Sequence, residues 1–169
     1  MSMRTPTKAV YVAAGTDRRE ENGMMIWGLL PLSIKVSTAD TGGSLFVFQH
    51  KDMGLGGPPR HIHHAQDEWF YAVEGEYVME IGDERYRLRP GDSLLAPREV
   101  PHAWAHVSPR PGTLITAVTP AGTFEDFIRE TARFATLPSP DEIAAAFAAH
   151  GMTVVGPPLD VDQFIEQTT

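Results

Sequence analysis

Between residues 24 and 120 the chain never runs far without a turn residue. Short apolar stretches such as "MMIWG", "PLSIKVS", "SLFVFQHK", "PHAWAHV" and "TLITAVTP" are separated by Gly, Pro or Asp-Thr-Gly-Gly. Glycine reaches conformations other residues avoid, and proline cannot donate a backbone hydrogen bond, so both punctuate regular structure. Interruptions at spacings of roughly 8–12 residues leave no room for a helix bundle and favour antiparallel strands. The segment "EWFYAVEGEYVMEIGDERYRL" reads as two or three strands, turning at Glu74-Gly75-Glu76 and Gly82-Asp83-Glu84. The chain has 15 glycines and 14 prolines in 169 residues, and its hydrophobic content of 42% is enough for a sizeable core. We expect one domain over residues 1–169, with an antiparallel β-sandwich or barrel over about 24–120. Residues 1–23 read as polar and irregular.

After Pro120 the period changes. "TFEDFIRETARFATL" brings Phe124, Phe127, Ile128 and Phe134 near one helical face. "SPDEIAAAFAAHG" carries a helix start: Ser139 to cap, Pro140 in the first turn, Glu142 three residues after the cap, and Gly151 to stop. The expected helices cover about 124–135 and 139–150, within a C-terminal extension of about 121–169. Their apolar faces predict packing on the outside of the β core; a lid over a site is the other reading. "MTVVGPPLDVDQFIEQTT" predicts a short strand or a frayed end.

Several classes are disfavoured. A net charge of −8, with no run of Lys or Arg, repels nucleic acid and anionic membrane. The absence of cysteine removes disulfides and zinc–thiolate sites. No signal-peptide core and no transmembrane run is visible. The expected setting is the cytoplasm, with a small molecule as partner.

One stretch demands chemistry. "PRHIHHAQDEWFYAVEG", residues 59–75, holds three of the seven histidines within four residues. Alternation along a strand puts His61 and His63 on one face and turns His64 away. Two imidazoles so placed can converge on one ion, at bond lengths of about 2.0–2.1 Å for a zinc-like metal. Glu68, five residues after His63, lies across a turn at "HAQD" and can reach the same ion. In "PHAWAHV", His102, Trp104 and His106 share a face, and His102 would complete a three-nitrogen, one-oxygen set.

These residues carry a resemblance. The chain reads His61-x-His63-x4-Glu68-x6-Gly75, then Gly91-x5-Pro97-x-Glu99-x2-His102-x3-His106. This is similar to the paired motif of the cupin superfamily, G-x5-H-x-H-x(3,4)-E-x6-G followed by G-x5-P-x-G-x2-H-x3-N. It departs in three places. The first glycine falls at Gly54 or Gly56. Glu99 replaces the second motif's internal glycine, so the turn there should be built differently. His106 stands for asparagine. The resemblance implies an all-β, cupin-type jelly roll with two C-terminal helices packed on it. It also implies one divalent transition metal per chain, among Fe, Mn, Ni, Co, Cu or Zn, held by His61, His63, Glu68 and His102.

The flanking segments resemble bacterial cupins of the quercetin 2,3-dioxygenase-like group. That implies a dioxygenase on a small phenolic or enolic, flavonol-like substrate, with Glu68 both ligand and catalytic proton acceptor. Phe48, Phe70, Trp104 and His106 are the expected substrate-binding residues, and Phe46 is expected first as packing. A metal-dependent isomerase, epimerase or cyclase on a sugar or polyketide is the alternative, as is a non-catalytic small-molecule binder. Asp67 is expected to be a solvated turn acid, His64 a surface residue, and His50 and His150 without a special role. Met24 and Met25 are expected as core filler. Trp69 and Tyr71, on the face opposite Glu68, predict an apolar homodimer contact.

Overall fold

The computed structural model describes residues 8–19 and 22–165. The expectations for residues 1–23 and for the tail fall partly on residues 1–7, 20–21 and 166–169, outside this range. The described residues form eleven strands and two helices. In order these are β1 (Met24–Ile26), β2 (Leu30–Val36), β3 (Phe46–Met53), β4 (Pro59–His63), β5 (Asp67–Glu74), β6 (Tyr77–Ile81) and β7 (Glu84–Leu88). Then follow β8 (Ser93–Ala96), β9 (His102–His106), β10 (Gly112–Thr119), α1 (Phe124–Thr131), α2 (Pro140–Ala149) and β11 (Met152–Pro158). All strand pairs are antiparallel. One sheet has the order β1-β2-β3-β10-β5-β8, the other β11-β4-β9-β6-β7. The architecture is a two-sheet sandwich; among the described residues no pairing closes it into a barrel. No helix there is long and apolar enough to cross a membrane.

The inner faces follow strand alternation. On β5, Glu68, Phe70 and Ala72 are buried, whereas Trp69, Tyr71 and Val73 are exposed. Two clusters fill the interior. The first combines Phe46 and Phe48 with Phe124, Phe127 and Ile128 of α1 and Phe147 of α2. The second holds Met53, Phe70, Tyr77, Met79, Trp104 and Leu114. Of the methionine pair, Met24 packs partly against the first cluster, but Met25 is 47% exposed and is not core filler. The strand is short and at the sheet edge, so its alternate residue faces solvent.

Helix α2 starts as its sequence dictates. Ser139 Oγ accepts from the Glu142 backbone N–H, and Glu142 reaches back to the Ser139 N–H at 2.8 Å. The final segment forms β11, which pairs with β4 and places Val154 opposite His61.

Two turns matter for the site. Gly75, between β5 and β6, has φ 84, and a Cβ there would lie 2.7 Å from His106 Nε2. Glycine serves both the left-handed turn and the close approach. At Glu99 the expectation of a differently built turn is corrected. The residue itself adopts φ 64, the left-handed conformation a glycine would take. Its N–H donates to the His63 carbonyl oxygen at 2.8 Å, so the turn geometry is kept and a glutamate strains to fit it.

Candidate metal centre and its cavity

Strand pairing assembles the site. His61 on β4 lies opposite His102, the first residue of β9. His63 ends β4, and the chain turns through His64–Gln66 into β5, whose second residue is Glu68. One ligand atom from each of His61, His63, Glu68 and His102 lies within 4.8 Å of the others, and all four side chains are buried. Ligands on opposite sides of one ion sit roughly 4 Å apart at bond lengths near 2.1 Å, so small adjustments bring the four onto one centre.

The imidazoles are oriented from behind. His61 Nδ1–H donates to the Pro59 carbonyl oxygen at 2.7 Å and His63 Nδ1–H to Gln66 Oε1 at 3.2 Å. His102 Nδ1–H points to the Val100 carbonyl oxygen at 3.3 Å. For His61 and His63 these bonds leave Nε2 as the free ligand atom, whereas Nε2 of His102 is hydrogen-bonded to Glu68. Glu68 Oε2 is 3.0 Å from His102 Nε2 and 3.3 Å from His63 Nε2. The second approach is close enough for ionic attraction, yet His63 Nε2 has no hydrogen-bond partner. A buried nitrogen lone pair aimed at a buried carboxylate lacks a cation between them; the donor set fits a divalent metal.

Electrostatics agree. Burial, with the neighbouring His102 and His63 rings, pushes His61 down to about 3. Burial also opposes charge on His63, but Glu68 outweighs it and raises the imidazole. For Glu68, burial favours the neutral acid; the His102 and His63 contacts prevail and hold the carboxyl well below its usual range. The carboxylate therefore stays charged, as a metal ligand must.

Gln66 is a site residue that sequence reasoning missed. Its amide accepts from His63 and donates to the Ala121 carbonyl oxygen at 3.1 Å, tying the ligand to the chain just before α1. Its position three residues after His63, across a turn, was the available signal.

A cavity with a water-sized free volume of about 50 Å³ opens on His61 and Glu68. Phe48 and Trp104, expected as substrate-binding residues, line it. Phe70 and His106 do not. Phe70 is fully buried in the second core cluster. His106 sits at the far end of β9, bonded to the Gly54 carbonyl oxygen at 3.0 Å and Ser108 Oγ at 2.7 Å. The other wall comes from residues given no site role: Trp27, His50, and Phe124, Phe127 and Phe147 of the helices. The helices pack on the β core as expected, and they also enclose the cavity.

The remaining candidates are structural. Asp67 pairs with Arg98 at 3.0 Å. His64 is exposed, between Glu99 and Thr153. His150 contacts Thr123 and Glu130.

Residues 51–118 match the cupin domain family. An uncharacterized protein of Methanocaldococcus jannaschii is 26% identical over 66 residues, which is 39% of this chain and 53% of that protein. The chain thus spans about half the length of this curated relative. Among solved structures, an RmlC-like cupin from Shewanella frigidimarina is 27% identical, with a TM-score of 0.50 over 62% of this chain and 86% of that one. KdgF from a Halomonas species is 26% identical, with a TM-score of 0.45 over 54% and 78% of the two chains.

Proposed function

From the premise that the chain carries a cupin domain, we propose that it is a metal-dependent dioxygenase acting on a small phenolic or enolic substrate. His61, His63, Glu68 and His102 hold one divalent ion. The observation that carries the reading is the continuity of this donor set with an aromatic-walled cavity. Bound there, the ion would supply Lewis acidity to a substrate oxygen and open positions for reaction.

The chain's own residues do the rest. Glu68 supplies a fixed negative charge; with His63 and His102 turned to the ion instead of to Oε2, its carboxylate would regain the basicity to accept the substrate's proton. Trp27, Phe48 and Phe147 exclude water and present flat apolar surface to a ring. A sugar fits this lining poorly. Its hydroxyls would lose their water partners, and each unpaired buried hydroxyl is costly. This argues against a sugar substrate and leaves an oxygen-independent isomerase or cyclase on an apolar substrate, or a non-catalytic binder of one, as the competing readings.

Elemental analysis of protein purified without added metal tests the first part. We expect one metal per chain, lost in the folded His61→Ala/His63→Ala double variant. Oxygen uptake over a phenol panel tests the second. Glu68→Gln should keep part of the metal and reduce turnover by roughly 10²–10⁴. Equal turnover in anaerobic buffer rejects the dioxygenase in favour of an isomerase or cyclase, and binding with no turnover in either buffer favours the non-catalytic binder.

A further inference from the structure

The cavity contains two polar groups that neither the ligand set nor the protein around them uses. The first is His50, on β3 and only 3% exposed. Its Nδ1–H donates to the Pro31 carbonyl oxygen at 2.7 Å, which leaves the lone pair on Nε2. Burial pushes this imidazole down to about 4, so it is neutral near pH 7. Among the described residues Nε2 makes no hydrogen bond. The ring is held between Phe48, at 5.3 Å, and Trp104, at 5.5 Å between centroids, both cavity walls.

The second is the Trp27 indole. Trp27 is 7% exposed, and its Nε1–H is buried without a partner. Its backbone has φ 50, a conformation unfavourable for a bulky side chain. It is held there by its N–H bond to the Thr131 carbonyl oxygen, at 3.1 Å, and by stacking on Phe147 at 6.0 Å. A strained backbone on a cavity-lining residue whose buried N–H has no partner points to a ligand that reaches that nitrogen once the cavity is filled.

We propose that His50 and Trp27 are the substrate-reading pair of this cavity. Trp27 Nε1–H donates to a ligand oxygen, and His50 Nε2 accepts from a ligand O–H. Apart from His61, Glu68 and the Trp104 indole N–H, the rest of the lining is apolar. The ligand class is a small, flat, mostly apolar molecule carrying a hydroxyl that both gives and receives a hydrogen bond. The assignment rests on reading this cavity as the substrate site, and it makes no use of the ion.

Three probes of nearly one shape test it: phenol, anisole and toluene. Phenol gives and receives, anisole only receives, and toluene does neither. Binding to the full chain as purified is measured by calorimetry and by ligand-observed NMR, then repeated after chelation. We expect phenol to bind roughly tenfold tighter than toluene, with anisole between them, before and after chelation. His50→Phe should erase the advantage of phenol over anisole while toluene still binds, and His50→Gln, which keeps an acceptor, should restore part of it. Trp27→Phe should bring anisole down to toluene. Equal binding of the three probes by the unaltered protein overturns the proposal without needing any variant. So does a phenol preference that His50→Phe leaves intact. A preference abolished by chelation alone assigns the hydroxyl to the ion, which overturns this inference and leaves the metal site standing.

Discussion

Phe147→Ala tests whether α2 is part of the cavity wall. Phe147 is 2% exposed. Its ring lies 4.8 Å from Phe127, 5.0 Å from His61 and 6.0 Å from Trp27, centroid to centroid. Truncating a buried phenylalanine costs about 3–5 kcal/mol. The upper half of that range applies, because the ring borders an existing void of about 50 Å³ and its removal enlarges the void. Edge-on and stacked aromatic contacts are lost too. We expect a loss of about 4 kcal/mol, a large share of a typical domain's stability. At this chain length it lowers Tm by roughly 8–16 °C. Urea and thermal unfolding followed by circular dichroism measure both. Leu137, 57% exposed, is the control: Leu137→Ala should shift stability by no more than about 0.5 kcal/mol. A Phe147→Ala loss below about 1 kcal/mol would refute the docking of α2 on the site.

Further expectations concern charge, strain and assembly. In chelated protein, stability should fall as pH drops from 6.5 towards 4. His50 and His61, held at about 4 and about 3, take up protons later than in the unfolded chain. Each contributes about 1.4 kcal/mol per pH unit in that window. His63, held high, changes stability only above pH 6.5, and Glu68, held low, only below pH 4.5. Urea midpoints at three pH values check this, and a flat profile contradicts it. Glu99→Gly should raise stability by up to about 1 kcal/mol, since it relieves a left-handed glutamate at some entropic cost; a destabilised variant refutes the strain. Trp69, Tyr71, Val73 and Leu95 expose apolar surface on neighbouring strands, and we propose that this face joins two copies. A light-scattering mass of 18.6 kDa would contradict the dimer.

The clustering of the four candidate donors was legible because its information is local. Strand alternation puts His61 and His63 on one face, and a short turn returns Glu68 beside them. Alternation specifies a face but not a depth, which is why His106 was misplaced. It shares the inner face with His102, yet four residues along a strand amount to about 13 Å, and His106 fills the opposite end near Gly75. Phe70 is displaced for the same reason, two residues beyond Glu68. The helical wall was illegible on other grounds. The contact of Phe147 with His61 joins residues far apart in sequence, and an amphipathic face announces burial without naming its partner. His50 looked ordinary because a histidine on a strand declares nothing; its free nitrogen appears only once the Pro31 carbonyl takes the other.

The pairing of β11 with β4 has a consequence for biogenesis. The strand that carries His61 and His63 has β9 on one side and β11 on the other. During synthesis from the N-terminus, β4 emerges early and waits with one backbone edge open. The edge is covered only after residues 152–158 have left the ribosome. The candidate site therefore reaches its final form late, after the helices have folded back. A nascent chain stalled between β10 and β11 would present the histidines of β4 on an unsealed edge, open to pairing with another chain.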